Sequence, residues 1–380
     1  MNSPARDTAL VCTFCGNDYS GGDPPTLCSC GHPLQVEIIW PGKLPTREAI
    51  DINLSSLWRY ECVLSPTSEE QRITLGEGWT PFIEAGDYRG ISLCFKDETK
   101  NPSGSFKDRG MAVAISKAKE YGVKEICLPS AGNAGVAAAA YGREAGVVCH
   151  VYLPGRIPHA FVKETENYGA DVRLAGNTLA ESALRMQEEK EAAWFDLSTL
   201  REPFRVEGKK TLGYEIAEQL GWHFPDVVIY PTGGGTGLIG MWKAFNEMRR
   251  LHWVEDELPR MVVVQSSECA PVVKAFVEGR DRCQPWKKGH TAALGLNSPD
   301  PIGGSWMLKV LRESRGTAVI VKEALIQSAL DEVAQASGTN PSPEVGVAWL
   351  GFQQLTGSGW IRPGQKVVIP VTGSGERYGL

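Results

Sequence analysis

Lys107 is the residue with the clearest potential for covalent chemistry, because it lies where a strand-like run gives way to a helix-like run. The N-terminus of a helix disfavours a cation, since its free N–H groups carry partial positive charge. The same field favours the neutral amine, the nucleophilic form that a Schiff base requires. Position alone leaves open the alternative of an ordinary solvated surface lysine.

A glycine-rich turn after a β-branched run is a second candidate. It consists of Gly233, Gly234, Gly235, Thr236 and Gly237. Such a turn lets successive backbone N–H groups converge on an anion, and the following helix adds its N-terminal dipole. The Lys-Ser/Thr pair of a P-loop and the third glycine of a dinucleotide fingerprint are both missing. The pattern therefore favours a small phosphate-bearing cofactor, with a simple tight connection as the alternative.

Four of the ten cysteines form a cluster near the start of the chain: Cys12, Cys15, Cys28 and Cys30. Two thiolate pairs satisfy tetrahedral Zn(II) without an open coordination position, so we predict a structural metal site rather than a catalytic one. Four free thiols are the alternative. No Lys or Arg lies between Arg6 and Lys43, so we expect this zinc-ribbon-like module to pack against protein rather than bind nucleic acid.

Strand-like and helix-like runs alternate from about residue 75 onward, which predicts an α/β fold with mostly parallel sheets. Strands are predicted at 91–95, 125–129, 147–153, 171–174, 226–230, 261–265 and 366–371. Helices are predicted at 110–121, 134–145, 179–192, 211–220, 238–250 and 322–336. The stretch 281–306 has weak periodicity and is predicted to be a long loop.

Some 300 residues of this pattern exceed one hydrophobic core, so we expect two doubly wound, open-sheet lobes with a cleft between them. The predicted division is a cysteine module at 1–40, a large lobe at 41–110 and 206–380, and a small lobe at 111–205.

Composition restricts the class of protein further. The 380 residues are 42% hydrophobic and 22% charged with a net charge of -6, as in ordinary globular proteins. A mildly acidic chain has no general attraction for nucleic acid or anionic membranes. No apolar run approaches a membrane span and no secretory h-region is visible, so we expect a cytoplasmic protein.

The segment 101–110, Asn-Pro-Ser-Gly-Ser-Phe-Lys-Asp-Arg-Gly, resembles the pyridoxal-phosphate lysine motif of threonine synthases, in the fold-type II (tryptophan synthase β-like) superfamily. Segments 129–135, 233–237 and 371–375 resemble other cofactor loops of that family in the same order. Segments 77–81 and 207–211 and the cysteine module are also similar. The resemblance covers nearly the whole chain.

The resemblance implies roles for individual residues. Lys107 would bind the pyridoxal 5'-phosphate aldehyde and then move protons, acting as the catalytic residue. The glycine turn would hold the cofactor phosphate, Asn133 would contact the 3'-oxygen, and Thr372, or else Ser374, would face the pyridine nitrogen. Substrate-binding residues would be Ser105, Ser130 and Arg205.

The substrate region departs from the family pattern. Ala131 lacks a hydroxyl, Leu200 replaces a polar residue, and Glu202 is expected to bring negative charge toward a site for a phosphate dianion. The expected activity is threonine synthase, a carbon–oxygen lyase converting O-phosphohomoserine and water to threonine and phosphate. The alternatives are a related β-elimination or β-replacement enzyme on another amino acid and a non-catalytic binding protein that has kept the fold. Many members of the family that the chain resembles are dimers, so the resemblance implies that this protein is a homodimer.

Overall fold

The computed structural model describes residues 6–19, 26–287 and 289–379, and within them the chain divides into two units. Of the described residues, the first unit contains 6–19, 26–79, 101–103 and 107–211, and the second contains 80–100, 104–106, 212–287 and 289–379. This division differs from the predicted lobes, because residues 41–79 belong with the smaller sheet. The backbone N–H of Ile73 donates to Ser116 Oγ at 2.8 Å, and Leu57 and Trp58 are buried in the same apolar core as the helix that carries Ser116.

The first unit has a two-stranded antiparallel sheet and a four-stranded parallel sheet of order β7-β6-β5-β8. Its strands are β1 Asp7–Cys12, β2 Leu34–Ile39, β5 Glu125–Pro129, β6 Val148–Leu153, β7 Asp171–Leu174 and β8 Trp194–Asp196. Its helices are α1 Lys107–Glu120, α2 Asn133–Ala145, α3 His159–Asn167 and α4 Leu179–Glu189. Helix α5, Phe204–Gln219, begins in this unit and ends in the second.

The second unit has a six-stranded sheet of order β11-β10-β9-β12-β4-β3, in which only β3 runs antiparallel to its neighbour. Its strands are β3 Phe82–Tyr88, β4 Ile91–Asp97, β9 Val227–Pro231, β10 Arg260–Ser266, β11 Thr317–Val321 and β12 Lys366–Val371. Its helices are α6 Thr236–Arg250, α7 Pro271–Val277, α8 Gly304–Glu313, α9 Ile326–Ser337 and α10 Pro343–Gly357.

These sheets confirm the predicted α/β class, and each unit has its own apolar core. The predicted loop 281–306 ends earlier than expected, because α8 already begins at Gly304. Before α8, its described residues contain one short 3-10 turn, Leu294–Leu296. None of the helices in the described part of the chain combines the length and apolarity that a membrane span requires.

Candidate functional site

Lys107 is the first residue of α1, in the first unit. The start of this helix is stabilised by Asp108, whose carboxylate accepts hydrogen bonds from the backbone N–H and the hydroxyl of Ser103. A carboxylate in the first helical turn complements the partial positive charge of that end. The lysine is half-buried.

The tripeptide Gly104–Phe106, which immediately precedes Lys107, belongs to the second unit. Ser105 forms an isolated antiparallel bridge with Gly373, and the Phe106 N–H donates to the Thr372 carbonyl at 3.1 Å. Backbone pairing therefore links this tripeptide to the loop after β12 that contains Thr372. Ser105 is fully buried, and its backbone has a structural role in addition to the predicted substrate-binding role.

The loop after β12 distinguishes the two hydroxyls proposed for the pyridine nitrogen. The Ser374 hydroxyl accepts the backbone N–H of Glu376 at 3.2 Å, which stabilises the last turn of the chain. Thr372 is the first residue after the strand and is 6% exposed. Thr372 is therefore the better candidate for a ligand contact.

The glycine turn joins β9 to α6 and has the features of an anion cradle. Gly235 is left-handed, with φ +80°, and caps α6 without a side-chain hydrogen bond. A Cβ on Gly233 would lie 2.4 Å from the Gly295 carbonyl oxygen. Within the described residues, the backbone N–H groups of Gly233, Gly234 and Gly235 donate to no other group. Unpaired donors in a turn that excludes side chains fit a phosphate group.

Asn133, predicted to contact the cofactor, is the first residue of α2 and is half-exposed. Ser130, predicted to bind substrate, also stabilises the turn before this helix. Its hydroxyl accepts the N–H groups of Gly132, at 3.1 Å, and Gly135, at 2.8 Å. This hydroxyl also donates to the Gly132 carbonyl, so its hydrogen-bonding capacity is largely used within the turn.

Arg205 lies in the first turn of α5 and is 2% exposed. Its Nη1 donates to the Leu197 carbonyl at 2.7 Å, whereas its Nε is buried without a hydrogen-bond partner among the described residues. Burial lowers the pKa of this guanidinium from its ordinary value. A buried, unpaired cationic donor fits the predicted role of binding an anionic substrate.

The Glu202 carboxylate, expected to oppose a substrate anion, has a structural role in the protein. It accepts the backbone N–H groups of Phe204, at 2.7 Å, and of Arg205, at 3.2 and 3.1 Å, and thereby caps α5. Burial raises the pKa of Glu202 to about 7 despite the neighbouring Arg205. Helix capping explains why a carboxylate occurs here. Because the carboxylate interacts with the partial positive charge of the helix N-terminus, its repulsion of a substrate anion is reduced.

Sequence reasoning included Lys209 in the family-like segment 207–211 but gave it no role; the structure shows it fully buried in the first unit. Burial, followed by repulsion from Arg205 and Lys107, lowers the pKa of Lys209 well below its ordinary value. The first unit therefore brings three basic side chains into electrostatic range of one another at the start of α1 and α5. The tertiary packing of α5 brings the three side chains together, and their proximity is not visible in the sequence.

The four predicted cysteines come together in the β1–β2 region, where their Sγ atoms all lie within 4.8 Å of one another. The Cys12–Cys30 and Cys15–Cys28 sulfur pairs are 3.5 Å apart. Ideal tetrahedral zinc at about 2.3 Å from each sulfur gives a separation of about 3.8 Å. The donor set fits zinc.

Backbone and hydroxyl donors also complement thiolates in this cluster. Cys12 Sγ accepts the N–H groups of Phe14 and Cys15, and Cys28 Sγ accepts the N–H of Cys30. The Tyr19 hydroxyl donates to Cys28 Sγ at 3.0 Å and is the leading cause that lowers the pKa of this thiol to about 6. Such donors stabilise the ligand form of cysteine.

The predicted residues are thus distributed over both units. The first unit contains Lys107, Asn133, Ser130, Arg205 and the four cysteines, and the second contains Ser105, the glycine turn and Thr372.

Comparison with known proteins agrees with these features. A threonine synthase of Methanosarcina acetivorans is 32% identical over 371 residues, covering 96% of this chain and 91% of the relative. A threonine synthase of Methanocaldococcus jannaschii is also 32% identical, over 380 residues with the same coverage. Among solved structures, threonine deaminase isoform 2 from Solanum lycopersicum superposes with a TM-score of 0.68 at 20% identity, over 88% of this chain and 94% of that one. That likeness supports the fold.

The family model for pyridoxal-phosphate dependent enzymes matches residues 73–373. The match includes Lys107, the glycine turn and Thr372, so it spans every predicted cofactor residue. The cysteine module lies before it. The chain therefore belongs to the family of pyridoxal-phosphate dependent enzymes.

Proposed function

We propose that the protein is a threonine synthase, converting O-phosphohomoserine and water to threonine and inorganic phosphate. The curated relatives that bear this name match nearly the full chain at about a third identity. The structural observation that carries the substrate assignment is Arg205, whose buried Nε has no partner among the described residues. A phosphate dianion is the kind of group that such a guanidinium binds.

The chain's residues divide the work of holding and acting on the ligands. The N–H groups of the glycine turn bind the cofactor phosphate, the Asn133 amide orients the ring, and the Thr372 hydroxyl faces the ring nitrogen. When bound, pyridoxal phosphate withdraws electrons from the substrate carbon atoms. Lys107 holds and moves the proton at the substrate Cα and Cβ, because a neutral amine at a helix N-terminus is a suitable base.

Substrate recognition uses Arg205 as the main anion ligand, with the Ser105 and Ser130 hydroxyls as further contacts. Burial, with repulsion from Arg205 and Lys107, lowers the pKa of the nearby Lys209 well below its ordinary value.

A related eliminase acting on serine, phosphoserine or diaminopropionate is the second candidate. Two observations favour it: Ala131 has no hydroxyl, and the Ser130 hydroxyl is engaged with backbone groups. The loop before α2 consequently offers fewer donors to a substrate phosphate than a loop with two free hydroxyls.

One assay separates the two candidates. The purified protein, loaded with pyridoxal phosphate, is incubated with O-phosphohomoserine, and phosphate and threonine are measured together. Equal amounts of both products support threonine synthase. Release of ammonia and a 2-oxo acid from serine, without threonine from O-phosphohomoserine, supports the second candidate. Inactivity in both reactions contradicts the proposal.

A pair of variants tests the role of Arg205. Arg205→Lys is expected to raise KM for O-phosphohomoserine about tenfold or more, because a lysine cannot reproduce the guanidinium fork. Arg201→Lys is the matched control, since Arg201 lies four residues away with its side chain 44% exposed. Equal KM values for the two variants would exclude Arg205 from substrate binding.

The assembly and the metal are also part of the proposal. We propose that Cys12, Cys15, Cys28 and Cys30 hold a structural zinc ion, and that the enzyme is a cytoplasmic homodimer that binds neither nucleic acid nor membranes. Light scattering on the purified protein measures the mass directly, and a value near 41.3 kDa, that of one chain, would rule out the dimer.

A further inference from the structure

Tyr230 carries a polar group that none of the roles above uses. It is the fourth residue of β9, three positions before the glycine turn, and is 2% exposed. Its hydroxyl has no hydrogen-bond partner among the described residues. A buried hydroxyl without a partner is unfavourable, and a phenylalanine would fill the same volume without this cost. The hydroxyl therefore points to a ligand contact.

The side chain is directed at the start of α6. A Cβ placed on Gly237 would lie 2.1 Å from the Tyr230 hydroxyl oxygen, so this oxygen rests against the first turn of the helix. The Tyr230 ring packs edge-on against Phe106, with centroids 6.0 Å apart at 85°. Glycine at 237 thus leaves room for a phenol at the start of the helix that directly follows the free N–H groups of Gly233, Gly234 and Gly235.

We propose that the Tyr230 hydroxyl donates a hydrogen bond to the phosphate group of the cofactor, supplementing the backbone N–H groups of the glycine turn. This inference rests on the proposed cofactor site. A hydrogen bond to a charged acceptor is stronger than one to a neutral acceptor, which offsets burial of the phenol.

Two features support a donor role. Burial raises the pKa of Tyr230 well above its ordinary value, with Glu98 adding to the effect, so the phenol keeps its proton. The nearby polar groups are already engaged: Thr232 Oγ1 donates to the Tyr230 carbonyl at 2.8 Å, and the Glu98 carboxylate accepts the Thr80 hydroxyl at 2.7 Å.

The test compares two ligands that differ only in the phosphate. Apoprotein is titrated with pyridoxal phosphate and with pyridoxal, and binding is followed by absorbance and tryptophan fluorescence. Tyr230→Phe is expected to weaken pyridoxal phosphate binding about tenfold or more. It should leave pyridoxal binding and the melting temperature of the apoprotein unchanged.

Tyr214→Phe is the matched control. The Tyr214 hydroxyl is also buried in the second unit but has a protein partner, Glu247 Oε2 at 2.8 Å. This control should lower the melting temperature and leave both dissociation constants unchanged. If Tyr230→Phe does not fold, Tyr230→Met, which also lacks the hydroxyl, takes its place. It should likewise weaken the binding of pyridoxal phosphate and leave the binding of pyridoxal unchanged.

An unchanged dissociation constant for pyridoxal phosphate in Tyr230→Phe overturns the inference, as does equal weakening of both ligands. Absence of pyridoxal phosphate binding by the parent protein contradicts the proposed cofactor site itself. The two failures are therefore distinguishable.

Discussion

Lys96 and Glu215 form an ion pair inside the second unit, with Lys96 Nζ 2.7 Å from Glu215 Oε2 and neither side chain exposed. The ammonium group also donates to the Thr80 carbonyl and to Gln219 Oε1, so its three protons have acceptors. Lys96 is opposite Pro370 in the β4–β12 register. The pair therefore stabilises the ends of the two strands from which the lysine segment and the Thr372 loop begin.

Lys96→Met is expected to destabilise the protein by about 3–5 kcal/mol, because Glu215 would be left as an unpaired buried charge. Urea unfolding of the apoprotein measures the change. Lys309→Met is the control, since Lys309 is 62% exposed and lies 3.8 Å from Glu313; it should change stability by less than about 1 kcal/mol. Equal effects of the two substitutions would contradict the importance of the buried pair.

Lys107→Ala is expected to abolish borohydride-stable labelling by the cofactor and to reduce turnover by a factor of about 10²–10⁴ or more. The fold should survive, because Lys107 is half-buried and Asp108 still caps α1. Lys119→Ala, on the same helix, is the control, because the Lys119 ammonium donates to the Glu70 carbonyl at 3.2 Å and has no part in the proposed site. Mass spectrometry after reduction measures the label, and a labelled Lys107→Ala protein would remove this residue from the site.

Local patterns predicted those parts of the fold whose periodicity is regular. The strand predicted at 171–174 coincides with β7, and the helix predicted at 134–145 begins one residue earlier, at Asn133. Helix α10 was missed because Val345, Ala348, Trp349 and Phe352 are buried on several faces, so no polar stripe marks it. The start of α5 at Phe204, seven residues before the predicted start at 211, was also missed. This end of the helix is capped by the Glu202 side chain, which accepts the Phe204 N–H.

The candidate site was predictable where chemistry requires a local motif. Lys107 and the glycine turn depend on residues adjacent in sequence, so their pattern is visible without a structure. The orientation of Glu202 and the burial of Lys209 and Tyr230 depend on packing between distant segments. Single-sequence reasoning has no signal for such contacts.

Gly235→Ala is expected to weaken pyridoxal phosphate binding about tenfold or more and to lower the melting temperature. The new Cβ would lie 2.1 Å from Met307 Sδ, and φ at this position is +80°. Gly359→Ala is the control, because Gly359 also has a positive φ, +74°, but its Cβ would meet nothing within 4 Å. Both substitutions destabilise the protein to a similar extent through backbone strain, because each places an alanine in the left-handed conformation. If cofactor titration gives the same affinity for both, the glycine turn is not the phosphate cradle.

Removal of the predicted zinc is expected to destabilise the β1–β2 region while leaving cofactor absorbance intact. Cys28→Ser should lose about one zinc per chain, because serine is a poor zinc ligand. Cys283→Ser, which changes a free cysteine of the second unit, should keep the metal. Elemental analysis and thermal melting measure the two effects. Equal metal content in parent protein and Cys28→Ser would refute the site.

The buried carboxyl group of Glu77 should make stability depend on pH. Its Oε2 accepts the Leu75 N–H at 2.9 Å and the Tyr141 hydroxyl at 2.8 Å. Burial outweighs these bonds and raises the pKa of Glu77 from 4.5 to about 7. The folded protein therefore holds a proton that the unfolded chain releases between these values. The resulting stabilisation is fully present below pH 4.5 and is lost as the pH rises through about 7.

Glu77→Gln keeps an acceptor oxygen but cannot ionise, so it should remove this pH dependence. Relative to Glu77→Gln, the parent apoprotein is expected to lose up to about 1.4 kcal/mol per pH unit across that window and nothing further above it. Urea unfolding at several pH values measures the difference. Glu69→Gln, at an exposed position, is the control, and its unfolding free energy should change with pH as that of the parent does. If the difference in unfolding free energy between the parent and Glu77→Gln stayed constant from pH 5 to 8, this carboxyl group would already be ionised in the folded protein at about pH 5.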